Sequence, residues 1–179
     1  MIDEPLFKST HDALVFAFQY AGQQSPRTPM TSLMRSAAIG SGKGLSGLDG
    51  AAQAGMILAE VCRLPDDQHN VIVARYDRAT HECKCCGSEV NSEEREAAID
   101  ALSHCVELEG VHRKVRIMMV KKALCGGKLD VTQLCRDYYM GRTALYKQLS
   151  DIKVKLRKLE RSAMITLDNA FLEKKALVA

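Results

Sequence analysis

Leu145, Leu149, Ile152, Leu156 and Leu159 recur at intervals of four, three, four and three residues. An α-helix places such a series on one face, because its 3.6-residue turn brings positions three and four apart together. Lys153, Lys155, Arg157, Lys158 and Arg161 alternate with that stripe, so the helix is amphipathic with a cationic side. It begins near Arg142 and is long for a helix that only reads DNA. The extension has three uses open to it: self-association, packing on the N-terminal part, or running along a nucleic acid. Beyond it, Leu167, Phe171 and Leu172 predict a last short helix closing onto the core.

The rest of the chain reads as helix as well. Trp is absent and aromatics make up 5% of the residues, so the core must be mostly aliphatic. Ser9 or Thr10 is placed to cap a helix running through Tyr20, with Gly22 as its stop. Gln23 to Pro29 reads as a loop, and a short helix is expected around Ser32 to Ala38. Asp49 caps a helix from Gly50 to Leu64, and Ala51, Ala52, Ala54, Gly55 and Ala59 give it a surface small enough for close packing. Pro65 ends that helix and Asp66 starts another to Tyr76, although the Val71-Ile72-Val73 run also suits a strand. Asn91 and Glu94 have capping-box spacing, which predicts a helix to Leu108. The polar, cysteine-rich stretch between Asp77 and Ser92 reads as a linker.

Charge divides the chain. Residues 1–111 hold 9 Lys and Arg against 16 Asp and Glu, whereas residues 112–161 hold 14 against 4. Gly110 marks the change of sign. The expected organisation is an all-α chain with an acidic helical body over 1–110 and a basic part over 111–179. A cationic segment this dense suggests a polyanionic partner. The plainer alternative is a solvated face matched to the acidic half.

The basic part has the pattern of a helix-turn-helix. Arg113, Lys114, Val115 and Met119 begin a helix that Gly126-Gly127 stops, with Met118 and Lys122 on the same face as Val115 and Met119. Asp130 and Gln133 then have capping-box spacing for a short helix through Leu134, Cys135 and Tyr138. A turn at Tyr139-Met140-Gly141 leads into the amphipathic helix. Leu134, Cys135, Leu145 and Leu149 are expected to point inward, and Arg142, Thr143, Tyr146 and Lys147 to face the major groove of double-stranded DNA. Arginine matches guanine in a bidentate fashion, and threonine suits a thymine methyl or a phosphate. Lys114, Lys128 and Lys153, with Lys121, Lys122 and Arg157, would position the phosphate backbone. Tyr139 stands where a turn glycine is usual, which implies a longer or differently shaped turn of the sigma region 4 kind. Gly141 stands where Ser or Thr normally caps the second helix. Without DNA, the same segment would be a surface helical hairpin.

His81-Glu82-Cys83-Lys84-Cys85-Cys86 puts four soft ligands into six residues. Zinc takes four Cys or His donors, usually in two spaced pairs. Three local ligands from His81, Cys83, Cys85 and Cys86 would need one distant donor, such as Cys62, Cys105 or His104. The other reading is reduced thiols in a tight turn. Cys125 and Cys135 fall within helical patterns and read as core. No paired acids or serine elbow point to catalysis, so an enzyme is not expected. Gly40 to Gly47 includes a Gly-Lys pair, but Ala37 and Gly44 break the phosphate-loop pattern. The longest apolar run, Ala13 to Phe18, is too short to span a membrane, and the acidic first residues argue against export. Seven cysteines in an unexported chain are expected to be thiols in the cytoplasm, some of them metal-bound.

Three blocks carry a resemblance to a known family. Ala13-Leu14-Val15-Phe16-Ala17-Phe18, the Pro26-Arg27-Thr28-Pro29-Met30 loop, and Gly42-Lys43-Gly44-Leu45 with Leu48-Asp49-Gly50-Ala51-Ala52-Gln53-Ala54-Gly55-Met56 resemble phage Q-like transcription antitermination factors. The related Alp-type positive regulators of bacterial chromosomes are similar too. Cys83 to Cys86, with Asn91 downstream, fits the same resemblance. It implies a bacterial, nucleoid-associated factor that binds DNA overlapping a promoter and transfers to paused RNA polymerase. Such a factor alters the RNA exit channel so that terminator hairpins do not form. Arg142, Thr143, Tyr146 and Lys147 would then contact the DNA element, and the acidic body the polymerase. Basic residues would line the path of the nascent RNA. Activation or repression of initiation alone, or a zinc-binding accessory role on nucleic acid, are the alternatives. Zinc-binding members of that family use two Cys-x-x-Cys pairs, from which this chain departs.

Overall fold

The computed structural model describes residues 6–24, 48–106, 110–126 and 129–173. Among these residues the fold is all-α apart from one two-stranded sheet. The helices are α1 (Thr10–Gln24), α2 (Leu48–Val61), α3 (Asp66–Tyr76), α4 (Glu93–Cys105), α5 (Arg113–Cys125), α6 (Val131–Asp137) and α7 (Arg142–Glu173). Strands β1 (Thr80–Glu82) and β2 (Glu89–Asn91) lie between α3 and α4.

Two compact units divide the chain, and the division does not follow the change of charge at residue 110. One comprises residues up to Leu64, Tyr76–Ser92 and the chain from Met164 onward. The other comprises Pro65–Arg75 and Glu93–Ala163. The backbone passes from one to the other inside α3 and inside α7.

In the first unit α1 packs on α2. Ser9 caps α1, its hydroxyl accepting from the Asp12 N–H at 3.2 Å. The helix runs past Gly22 to Gln24. Phe7, Ala13, Leu14 and Ala17 are buried, as are Ala54, Ile57 and Val61 of α2 and Leu167 and Phe171 of α7. Phe7 meets Phe16 at a ring separation of 5.2 Å. Thr10 donates its hydroxyl to the Asp168 carboxylate.

In the second unit α4 packs on α5. The β-branched run of α3 is helical, and Val71, Ile72, Val73 and Ala74 are all buried. A helix covered on several sides loses its polar face, which is why this run lacks clear periodicity. Ile99, Leu102, Val115, Met119, Val120, Leu134, Leu145, Leu149, Ile152 and Leu156 complete the core. At about 1.5–3 kcal/mol for each fully buried large aliphatic side chain, this face of α7 is a principal source of stability.

Five expectations differ from the structure. Asn91 does not cap α4; it closes β2, and the helix begins after Ser92. Residues 77–92 form a hairpin instead of a linker. No separate last helix follows the basic one, because α7 continues unbroken to Glu173 with neither Gly nor Pro to stop it. Cys125 is exposed rather than core, and Met118 is exposed while Val115 and Met119 are buried. The short helix expected around Ser32 to Ala38 and the Gly40 to Gly47 segment lie outside the described residues.

Candidate nucleic-acid interface and metal centre

The α6–α7 connection is built from its caps outward. Asp130 is the N-cap of α6, and its carboxylate accepts from the Gln133 N–H at 2.9 Å, the partner that the capping spacing specified. At the other end, the Tyr138 N–H donates to the Leu134 carbonyl and the Met140 N–H to the Cys135 carbonyl. This six-to-one closure needs a left-handed residue between them. Tyr139 supplies it with φ 52°, the one non-glycine residue at positive φ among the described residues. The turn therefore has the short form a glycine would give, not a longer one. Its ring is 97% exposed, so no packing of its own offsets the strain. Gly141 occupies the N-cap position of α7, its carbonyl accepting from the Leu145 N–H at 3.0 Å.

Leu145, Leu149, Ile152 and Leu156 are buried, and Leu159 is half-buried at the end of the stripe. Cys135 is half-buried in α6. Arg142, Thr143, Tyr146 and Lys147 are all exposed on the first turns of α7. Arg142 donates to the Thr132 hydroxyl at 3.2 Å, which holds its guanidinium beside the α6 N-terminus. Further along, Lys153 is half-buried, while Arg157, Lys158 and Arg161 are exposed. Together they make a positive ridge on the helix.

The cations of α5 are placed differently. Arg113 pairs with Asp100 at 2.7 Å, and Lys121 pairs with Glu96 at 2.6 Å. Part of the basic segment is thus matched by acids of the same unit. Lys114 is exposed at the start of α5, where its backbone N–H donates to the ring of His112. His112 as N-cap was not read from the sequence; its ring lies 5.1 Å from that of Tyr138. Lys128 lies outside the described residues.

The thiol cluster sits at the tip of the β1–β2 hairpin. Thr80 pairs with Asn91, His81 with Val90 and Glu82 with Glu89. Buried Asp77 fastens the base, accepting from the Ala79 N–H at 2.8 Å and from the Ser92 hydroxyl. At the tip the Cys83 N–H donates to the Ser88 carbonyl and the Gly87 N–H to the Cys83 carbonyl, both at 2.8 Å. Gly87 takes φ 69°, the left-handed conformation that suits glycine. The sulfurs of Cys83, Cys85 and Cys86 lie within 4.8 Å of one another and are able to hold a metal ion.

His81 does not join them. Nor do the distant donors: Cys105 donates to Asp67 at 2.8 Å, and His104 faces Asp100 at 3.9 Å. The sequence offers one Cys-x-x-Cys spacing, Cys83 to Cys86 with Gly87 behind it, and no second pair.

The thiols differ in acidity. Cys83 is lowered, first by the Cys85 thiol and then by the backbone N–H groups of Cys85 and Cys86. Cys86 is lowered to about 7, chiefly by the Ser88 hydroxyl and backbone N–H. Cys85 is raised, because it is the donor to its neighbours. Burial and the Asp67 carboxylate push Cys105 up to about 11. The hairpin therefore favours the thiolate at half-buried Cys83 and at exposed Cys86.

Among the described residues, no helix is long and apolar enough to cross a membrane. No protein-family model and no curated protein matches this sequence.

Proposed function

We propose that this chain is a DNA-binding transcription regulator whose α6–α7 corner acts as a helix-turn-helix. In this reading Arg142, Thr143, Tyr146 and Lys147 enter the major groove, and Lys114, Lys128 and Lys153 hold phosphates. The observation that carries it is the exposed cationic ridge of α7, set beside a buried aliphatic stripe. A helix with that arrangement offers charge to a duplex without exposing its core-forming face. Arg142 stands one residue past the cap, where the side chains of a reading helix reach base edges.

The resemblance extends the proposal to mechanism. The factor loads onto promoter-proximal RNA polymerase, with the acidic body as its polymerase contact, and suppresses pausing and termination along the nascent RNA. It is not an enzyme, and it works in the bacterial cytoplasm. The ion proposed for the hairpin tip is zinc, which favours thiolate donors such as those of Cys83 and Cys86. Its role would be structural, holding the hairpin tip.

Transcription in vitro tests this directly. On a template carrying the cognate promoter, added protein raises read-through at a downstream intrinsic terminator. A change in initiation with unchanged read-through would restrict the protein to promoter control. Binding to duplex DNA weakens as salt rises, with a log–log slope reporting the number of phosphates engaged. Absence of duplex binding at low salt would remove the DNA reading altogether.

A further inference from the structure

We propose that the hairpin tip is half of a metal site, and that two copies of this chain complete it by sharing one zinc ion through Cys83 and Cys86 of each. The inference rests on the zinc reading of the cluster and is independent of the DNA reading.

Donor supply is the first reason. A structural zinc ion takes four protein ligands. Every His and Cys of the sequence falls among the described residues: His11, His69, His81, His104 and His112, with Cys62, Cys83, Cys85, Cys86, Cys105, Cys125 and Cys135. Only three of these come together, and no carboxylate joins them among the described residues. Within its own unit, where His11, His81 and Cys62 are the other candidates, the hairpin has no fourth nitrogen or sulfur donor in place.

Local geometry reduces the three to a natural pair. Cys83 and Cys86 stand at the two arms of a turn closed by the Gly87 N–H on the Cys83 carbonyl, with Gly87 in the left-handed region. That spacing lets both sulfurs approach a single ion. Cys85 and Cys86 are sequence neighbours, and their common peptide strains any arrangement in which both bind one metal. A zinc–sulfur distance of about 2.3 Å puts tetrahedral sulfurs about 3.8 Å apart, a spacing this tip can reach with little movement.

Exposure is the third reason. Cys86 is exposed, Cys83 is half-buried, and Lys84, Gly87 and Ser88 around them are exposed. Nothing described walls off the tip, so a second tip can meet it. Two pairs give a tetrahedral four-sulfur site, and binding releases whatever thiol protons remain.

The test is zinc stoichiometry measured with mass in solution. Full-length protein purified without chelator is expected to hold one zinc per two chains and to scatter as a dimer. A chelator converts it to monomer, and added zinc restores the dimer. Titration with cobalt(II) as a spectroscopic probe breaks at half an equivalent, with the visible bands of tetrahedral thiolate coordination. Cys83→Ser and Cys86→Ser each abolish zinc and dimer, whereas Cys85→Ser keeps both; circular dichroism checks that the helices are intact. One zinc per monomeric chain, loss of zinc in Cys85→Ser, or a dimer that survives chelation each overturns the shared site while leaving zinc binding standing. Wild-type protein that takes up no zinc overturns both.

Discussion

Two exposed turns of this chain solve the same backbone problem with different residues. Both need a left-handed residue to reverse direction. The hairpin tip uses Gly87 at φ 69°, and the α6–α7 connection uses Tyr139 at φ 52°. Glycine adopts that conformation freely, whereas a tyrosine there is strained by on the order of 1 kcal/mol. The hairpin turn gathers soft thiol donors, Cys83 and Cys86, while the helical connection leads into cations, Arg142 and Lys147. The backbone device is shared; the neighbouring side chains decide whether metal or phosphate is the natural partner.

The sharpest contrast is between the hairpin thiols and those of the helices. In chelator-treated protein at pH 7, Cys86 is about half ionised, since its thiol is held at about 7. Cys105, pushed up to about 11, is ionised in only about one molecule in ten thousand. Iodoacetamide should label Cys86 faster than Cys105 by about a hundredfold, as read by peptide mass spectrometry, because a roughly 5,000-fold excess of thiolate is partly offset by the lower nucleophilicity of the more acidic thiol. Raising the pH from about 6 to about 8 should speed labelling of Cys86 by about tenfold, because deprotonation passes through its midpoint. Equal labelling of the two would erase the distinction.

Arg142→Ala measures the cationic side of the comparison. It should weaken specific duplex binding by on the order of 1–3 kcal/mol, or roughly 5- to 150-fold. Lys153→Ala, at a phosphate-holding position of the same helix, should weaken all duplexes alike and reduce the salt slope by about one. Unchanged affinity in the first would move the reading face away from the start of α7.

Smaller effects come from exchanging the turn residues. Tyr139→Gly should raise folding stability by about 1 kcal/mol or less, because relief of strain exceeds the entropy glycine adds to the unfolded chain. Gly87→Ala should destabilise the hairpin by about 1 kcal/mol, although a Cβ there meets nothing within 4 Å. The strain is thus one of conformation and not of crowding. Thermal unfolding of the first and hydrogen exchange across β1 and β2 in the second would check the opposite signs.

Much of the helical order was legible because its signals are local. Asp66 opens α3, Gly126 ends α5 in the left-handed conformation, and Asp130 caps α6 through the Gln133 N–H, all signals that act within a few residues. The leucine stripe gave the face of α7 that is buried. The hairpin escaped notice because strands of three residues leave no alternation to read. Tyr139 escaped because positive φ in a tyrosine contradicts its intrinsic preference, and the six-to-one closure of α6 overrode it.

Chain order and residue chemistry by themselves determined that the molecule is helical, that its cations concentrate after residue 111, and that its soft donors crowd between His81 and Cys86. These follow from periodicity, capping and composition, which act over a few bonds. Tertiary structure alone decided that Cys105 meets Asp67, which cations pair with Asp100 and Glu96, and that α7 serves two compact units. Those outcomes depend on contacts between residues far apart in the chain, and such contacts are fixed only when the whole core is buried at once.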